Sequence, residues 1–282
     1  MDEINIYLRS MTFEGFLKKM PVALNGDLIQ YKLAETIANQ WVGKTIQLSF
    51  LQEIRCVKCS ASIKKTYNDG YCFPCFDSSP ENSPCVIRPE LCRGHLGEGR
   101  DVQWEQENHN QAHVVYLAQT DTVKVGVTRK SNLVNRWIDQ GAHKAVIFAE
   151  TPNRYEAGRI EVAMKDFFTD KTNWRKMLTN DCNEEIDLLE EKWRLENALP
   201  QDLGVFFSEN DELQILNYPV LKYPLKVQSM QLEKVPLLTK KLMGIRGQYF
   251  IFEDGSVLNI RKHSGYKVRI EEVEVDGQLG LF

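Results

Sequence analysis

The chain has 282 residues, of which 43% are hydrophobic and 26% charged, and its formal net charge is −4. This composition is typical of a folded globular protein and excludes a disordered, collagen-like or fibrous chain. No apolar run approaches the roughly 20 residues that cross a bilayer, and the N-terminus lacks a basic segment followed by an apolar one. We therefore expect a cytoplasmic protein without a membrane partner.

The N-terminal part, residues 1–55, is predicted to be rich in β-structure. Apolar and polar residues alternate over 29–33 and 45–50, which is the period of a half-buried strand. Residues 56–112 differ, because six cysteines, four prolines and several glycines leave no long periodic element there. Bound metal is the obvious candidate for ordering such a segment.

Residues 113–180 are predicted to form a compact α/β unit. The pattern indicates strands over 114–118 and 123–127, a helix that Ser131 or Asn132 caps and Gly141 ends, a third strand over 145–149, and a second helix over 153–168. The segment holds 11 basic and 7 acidic side chains, a local positive excess in an acidic protein. Such an excess is compatible with an anionic partner such as nucleic acid.

The rest of the chain is predicted to contain a helix over 184–198 and short strands over 247–270, followed by an acidic tail. The predicted fold class is α+β, with a small α/β core flanked by a β-rich, zinc-binding N-terminal part and a β-rich C-terminal part. The predicted divisions are 1–55, 56–112 (cysteine-rich), 113–180 (core), 181–270 (helix and strands) and 271–282 (tail).

Two cysteine pairs predict a structural zinc site. Cys56 and Cys59 form one C-x₂-C knuckle, and Cys72 and Cys75 form another twelve residues later. A tetrahedral Zn²⁺ site requires such paired thiolates on two tight turns. The cytosol keeps thiols reduced, so metal ligation is favoured over disulfides. With all four positions filled by protein, this zinc would stabilise the fold and not catalyse.

A looser set, formed by Cys85, Cys92 and His95, is a candidate second zinc site. It would need a fourth ligand such as His109 or His113. The alternative is that the two cysteines belong to the core and the histidine to the surface.

The α/β unit resembles the GIY-YIG nuclease core over about 65 residues. The resemblance rests on Val114-Val115-Tyr116, on Lys124-Val125-Gly126-Val127 ten residues later, on Arg136 in the first helix, and on Glu161 in the second. In that family two strands carry the namesake tripeptides, an arginine follows on a helix, and a glutamate on the next helix binds one divalent metal ion.

The resemblance implies a role for each matching residue. Tyr116 would take or relay a proton from the attacking water, Arg136 would neutralise the scissile phosphate, and Glu161 would hold Mg²⁺ or Mn²⁺. Asn173 matches a late asparagine of the family. Lys124 stands where the family has its second tyrosine, and Val114 where it has its first glycine. Lys124 would then serve as a phosphate-binding cation.

Three functions remain open at this point. The first is a divalent-metal-dependent endonuclease acting on DNA in replication or repair. The second is a catalytically inactive module that binds DNA or RNA through the zinc segment and basic residues, namely Lys124, Arg129, Lys130 and Arg136. Asn173 is also predicted to bind nucleic acid. The third is a zinc-organised scaffold for protein partners. Taken together, the cysteine knuckles, the core and residues 247–266 resemble a bacterial family of domain-of-unknown-function proteins.

The last five residues are similar to the pentapeptide by which bacterial polymerases and repair proteins dock on the sliding clamp. Gln278 would hydrogen-bond a small pocket of the clamp, while Leu279, Leu281 and Phe282 would fill an apolar cleft. The acidic residues before them favour a solvated tail that can reach a partner. The alternative is a tail that packs on its own core.

Overall fold

The computed structural model describes residues 12–168, 173–183 and 185–274. Its strands are β1 (Thr12–Phe16), β2 (Val22–Asn25), β3 (Leu28–Leu33), β4 (Thr36–Ile37), β5 (Thr45–Ile54), β6 (His113–Gln119), β7 (Val123–Arg129), β8 (Lys144–Thr151), β9 (Gln214–Ile215), β10 (Gln228–Ser229), β11 (Leu237–Arg246), β12 (Tyr249–Phe252), β13 (Ser256–Asn259) and β14 (Tyr266–Glu272). Its helices are α1 (Phe73–Ser78), α2 (Val102–Asn108), α3 (Leu133–Asp139), α4 (Arg154–Met164), α5 (Trp174–Thr179), α6 (Leu188–Glu196) and α7 (Gln201–Gly204).

The predicted α+β fold class is confirmed. Among the described residues, no helix combines the length and the apolar character that a bilayer crossing requires.

The largest sheet joins strands from both ends of the chain. Within the described residues it has seven strands, in the order β1-β14-β5-β11-β12-β13-β10. Strand β14 pairs antiparallel with β1 on one side and with β5 on the other. Residues 1–55 and 181–270, which the sequence predicts as separate parts, therefore contribute to one sheet. Glu271 and Glu272, predicted to belong to the tail, form the end of β14.

A second sheet carries the α/β unit. Its order is β7-β6-β8-β9, and all neighbours are antiparallel. The central strand β6 is buried at every position because one apolar cluster packs on the face that carries Val114 and Tyr116, and a second packs on the face that carries Val115 and Leu117. The pairing sets Tyr116 directly opposite Gly126 of β7. The three core strands and two helices lie where the sequence predicts them.

The turn segment, residues 55–112, lies between β5 and β6 and consists of short turns and helices. It contains α1, which has no buried residue, and 3₁₀ turns over Pro80–Asn82, Pro84–Val86, Pro89–Leu91 and Gly94–Leu96. Proline begins three of these turns because its fixed φ suits the first helical position. Large apolar side chains such as Ile87 and Leu96 remain exposed. Apolar burial therefore contributes little to the order of this segment.

Replacing Arg246 with lysine is expected to destabilise the fold by about 2 kcal/mol, because a lysine cannot reproduce its planar set of buried hydrogen bonds. The buried guanidinium donates twice to the Gly141 carbonyl, at 3.1 and 2.8 Å, and once to Asn180 Oδ1, at 2.8 Å. Urea denaturation measures the loss. Arg269→Lys, at an exposed ion pair with Glu14, is the control and should change stability by less than about 0.5 kcal/mol.

Candidate active site and metal centres

A cavity of about 430 Å³ opens beside β7. Its walls carry three residues predicted for catalysis that are distant in the chain: Lys124 on β7, Arg136 on α3 and Glu161 on α4. The turn segment closes another side with Ile87 and Arg88. With Arg88 and Lys165, the cavity thus gathers four cationic side chains and one carboxylate around a space large enough for part of a polymeric ligand.

Tyr116, the fourth predicted catalytic residue, lies against this cavity. Its hydroxyl donates to Gln140 Oε1 at 2.8 Å and accepts from Arg136 Nε at 3.3 Å. The ring is fully buried under Gly126, where an added Cβ would lie 2.5 Å from the tyrosine ring and hydroxyl. Burial raises the pKa of Tyr116, and the nearby Arg136 opposes this rise only in part. The hydroxyl is therefore a neutral donor near pH 7.

Glu161 lies half-buried on the helix face that lines the cavity. Burial raises the pKa of its carboxyl from the ordinary 4.5 to about 6, while Lys165, Arg154 and Arg136 work in the opposite direction. A carboxylate held at energetic cost in a cavity is typical of a residue kept for function, since a bound cation would remove that cost.

Glu161→Gln is expected to stabilise the protein by about 2 kcal/mol at pH 7.5 in the absence of added divalent metal. The folded state holds this proton up to about pH 6, whereas the unfolded chain releases it near 4.5, so ionisation of Glu161 lowers stability as pH rises through that window. The gain should shrink toward zero at pH 4.5. Urea denaturation at both pH values tests this.

Glu156→Gln, in the partly exposed pair with Arg159 on the same helix, is the matched control. It should change stability by less than about 0.5 kcal/mol at either pH. A Glu161→Gln variant no more stable than the wild type at pH 7.5 would show that the ionised carboxyl carries no such cost.

A second cavity, of about 280 Å³, shares Arg136 with the first. Arg129 and Arg154 also line it, so three arginine side chains lie along the walls of the second cavity. The guanidinium of Arg129 donates to Asn108 Oδ1, which fixes its direction. This arrangement can accept a phosphate chain that runs from one cavity into the other.

The other residues predicted to bind nucleic acid lie elsewhere. Lys130 forms an exposed ion pair with Glu150. Asn173 caps α5, where its Oδ1 accepts from the amides of Arg175 and Lys176. Neither lines the two cavities.

Gln140 and Arg154 contribute to the site but were not predicted. A signal for Gln140 was present, because it lies four residues after Arg136 and therefore on the same helix face. Arg154 had no such signal, since an arginine near the start of a helix is ordinary.

The four cysteines of the two knuckles lie together and are able to hold a metal ion such as zinc, as predicted. The Sγ atoms of Cys56, Cys59, Cys72 and Cys75 all lie within 4.8 Å of one another. The Cys59 and Cys72 sulfurs are 3.8 Å apart, close to the edge of a tetrahedron with Zn–S bonds of about 2.3 Å. Burial raises the pKa of Cys56, but backbone N–H groups from Cys59 and Cys72 outweigh it and lower the pKa to about 6.

The second cysteine set is assembled with different partners than the sequence suggests. Cys85 and Cys92 are gathered with Glu105 and His109, and all four side chains are buried. His95 lies apart and stacks on Tyr155, with ring centroids 4.7 Å apart. His113, one suggested fourth ligand, faces the Gln111 carbonyl through Nδ1 at 2.7 Å. Of the histidines considered, the structure therefore brings only His109 to the two thiols.

A family described as "Protein of unknown function (DUF2797)" matches residues 43–268. No curated protein and no solved structure matches the chain. The matched range includes both cysteine clusters and every residue that lines the two cavities.

Proposed function

The chain belongs to the DUF2797 family, and we propose that it is a divalent-metal-dependent endonuclease acting on DNA in replication or repair. One observation carries the proposal. Lys124, Arg136 and Glu161, whose positions match the GIY-YIG motif, come from β7, α3 and α4 and line one cavity. Tyr116 on β6, the fourth motif position, is bonded to Arg136 beside that cavity. The antiparallel order β7-β6-β8, with a helix before and a helix after the third strand, supports it further.

The side chains suit phosphodiester hydrolysis. Glu161 offers the hard oxygen ligand that Mg²⁺ or Mn²⁺ prefers, and such an ion would help to stabilise the negative charge that develops on the phosphoryl oxygens. Arg136 would bind the same oxygens, held in place by the Tyr116 hydroxyl 3.3 Å from its Nε. Lys124 supplies a second cation in place of the family's second tyrosine.

The DNA backbone would continue into the second cavity, where Arg129 and Arg154 lie beyond Arg136. Contacts of this type add affinity with little dependence on base sequence, and that affinity falls as salt rises. RNA would satisfy the same backbone contacts. A cleavage assay must therefore include both DNA and RNA.

The four-cysteine cluster would hold one structural zinc ion. It lies in the segment that lacks an apolar core, and four protein ligands leave no position open for water or substrate. This zinc ion would fold residues 55–82. The cytoplasm, where we place the protein, would keep its thiols reduced.

The second candidate is a catalytically inactive nucleic-acid-binding module. It is favoured by the environment of Tyr116, which is fully buried with its hydroxyl bonded to both Gln140 and Arg136. A phenol in that position would have to exchange a partner before it could handle a proton from water. The two basic cavities would then bind and release nucleic-acid strands without cleaving them.

Cleavage assays separate the two candidates. Purified protein is incubated with labelled single-stranded, duplex, flap and branched DNA, and with matching RNA, in Mg²⁺ or Mn²⁺. We expect cleavage by the wild type, a loss of at least 100-fold in Glu161→Gln and Arg136→Ala, and wild-type rates in the control Glu156→Gln. Salt-sensitive binding without cleavage on every substrate would select the inactive module.

The predicted clamp-docking residues 278–282 lie outside the described residues. We retain clamp binding as the proposed means of recruitment, because residues 278–282 resemble the clamp-docking pentapeptide. Deletion of 278–282 should abolish binding to a purified bacterial sliding clamp and leave cleavage of short DNA unchanged. Clamp binding that survives this deletion would remove the docking role.

A further inference from the structure

We infer that a second zinc ion is bound by Cys85, Cys92, Glu105 and His109. This ion links the turn segment to α4, the helix that carries Glu161. This site is independent of the proposed nuclease chemistry, and it differs in ligands and position from the four-cysteine cluster. It differs also from the set with His95 that the sequence suggests.

The ligand atoms already have the spacing that a metal ion imposes. All four lie within 4.8 Å of one another. The distance from Cys85 Sγ to His109 Nδ1 is 3.8 Å, near the edge of about 3.6 Å expected between sulfur and nitrogen around tetrahedral zinc. The same imidazole nitrogen faces the Glu105 carboxylate. Two thiolates and one imidazole favour zinc over the harder Mg²⁺ or Ca²⁺.

Local structure explains how these residues meet. Glu105 and His109 are four residues apart, Glu105 in α2 and His109 at its C-terminal cap, so they share one face. Cys85 lies in the 3₁₀ turn Pro84–Val86, and Cys92 follows the turn Pro89–Leu91. Each turn changes the direction of the chain within three residues, so both sulfur atoms lie beside Glu105 and His109.

Burial without a cation would be costly. Each of the four side chains is at most 7% exposed. The buried Glu105 Oε2 faces His109 Nδ1, the same nitrogen that lies 3.8 Å from Cys85 Sγ. Charged or strongly polar groups removed from water are stable when paired or bound to metal. The other Glu105 oxygen is 3.5 Å from the buried Ser83 hydroxyl, in the position of a group that orients a metal ligand.

The site connects directly to α4. Arg154, at the start of this helix, donates from Nε to the Cys85 carbonyl at 2.9 Å and from Nη2 to the Val86 carbonyl at 2.8 Å. Its amide donates to the His109 carbonyl at 2.9 Å. A metal ion held by Cys85 and His109 would thus fix both anchors of the helix that presents Glu161 to the cavity. The ion would also hold Ile87 and Arg88 in the cavity wall.

Metal content of the full-length protein tests the inference. Zinc per chain, measured by elemental mass spectrometry without chelators, is expected to be two for the wild type. We expect one in His109→Ala and one in a Cys59→Ser/Cys72→Ser variant. His95→Ala and Cys182→Ser should retain two. One zinc in the wild type, or a loss in His95→Ala with none in His109→Ala, would overturn the assignment.

Cobalt titration of the metal-free wild type keeps the inference falsifiable if His109→Ala fails to fold. Cobalt in the four-cysteine cluster gives a strong sulfur-to-metal charge-transfer band, and cobalt at the second site should add about half that intensity, because it has two thiolates instead of four. Two equivalents with two different slopes are expected. Saturation at one equivalent would leave no second site.

Discussion

Cys72→Ser is expected to unfold residues 55–82 while the three sheets stay folded. Four-ligand zinc sites in small domains contribute about 10 kcal/mol or more to folding, and loss of one thiolate removes a large share of it. This segment has few other sources of stability. Helix α1 buries no residue, and the other contacts are small ones, such as the backbone pairing of Tyr67 with Tyr71 and the stacking of Tyr67 on Phe76.

Limited proteolysis followed by mass spectrometry measures this effect. Cleavage within 57–80 should be at least tenfold faster in Cys72→Ser than in the wild type, and a strong zinc chelator should reproduce the change in the wild type. Cys182→Ser, outside both clusters, is the control and should retain the wild-type pattern. A Cys72→Ser chain as resistant as the wild type would mean that packing alone orders the segment.

Gly158→Ala is expected to destabilise the protein by about 3 kcal/mol or more, although alanine is the better helix former. Gly158 lies on α4 against the turn Pro89–Leu91. An added Cβ would lie 2.2 Å from the Glu90 nitrogen and 2.4 Å from the Pro89 carbonyl carbon. These are backbone atoms that cannot rotate away, so the turn must leave the helix.

Gly204→Ala is the matched control, because it makes the same substitution in α7, where no other described part of the chain comes within 4 Å of the added Cβ. It should be neutral or stabilising by up to about 1 kcal/mol. Thermal and urea denaturation of both variants give the comparison. Equal stabilities for the two variants would contradict the close contact between α4 and the turn.

The α/β unit could be predicted because its signals are local. Strands β6 and β7 are joined by a short turn, Gly141 at φ +71° follows α3, and the spacing of the cysteine knuckles specifies its own geometry. Tyr116 and Gly126 then meet through the register of one hairpin. Each of these features depends on residues close together in the chain.

Other features depend on distant partners and had no local signal. In the sequence, Glu105 has no feature that separates it from an ordinary helical carboxylate. Only the folded structure places it beside Cys85 and Cys92. His95 lies nearer to Cys92 in sequence, yet its turn directs the ring to Tyr155. The pairing of β5 with β14 joins positions about 200 residues apart, which alternation within either strand cannot reveal.

The position of β14 between β1 and β5 sets the order in which the chain can fold during synthesis. At about 5 to 20 residues per second, a ribosome needs roughly 10 to 40 seconds to make the chain between β5 and β14. Through that interval β1 and β5 lack the strand that separates them in the finished sheet. The α/β unit and the cysteine clusters can form first, whereas the large sheet closes only after β14 has emerged. We therefore expect chains truncated before β14 to expose strand edges and to require chaperones, even when the cavity and both cysteine clusters are already complete.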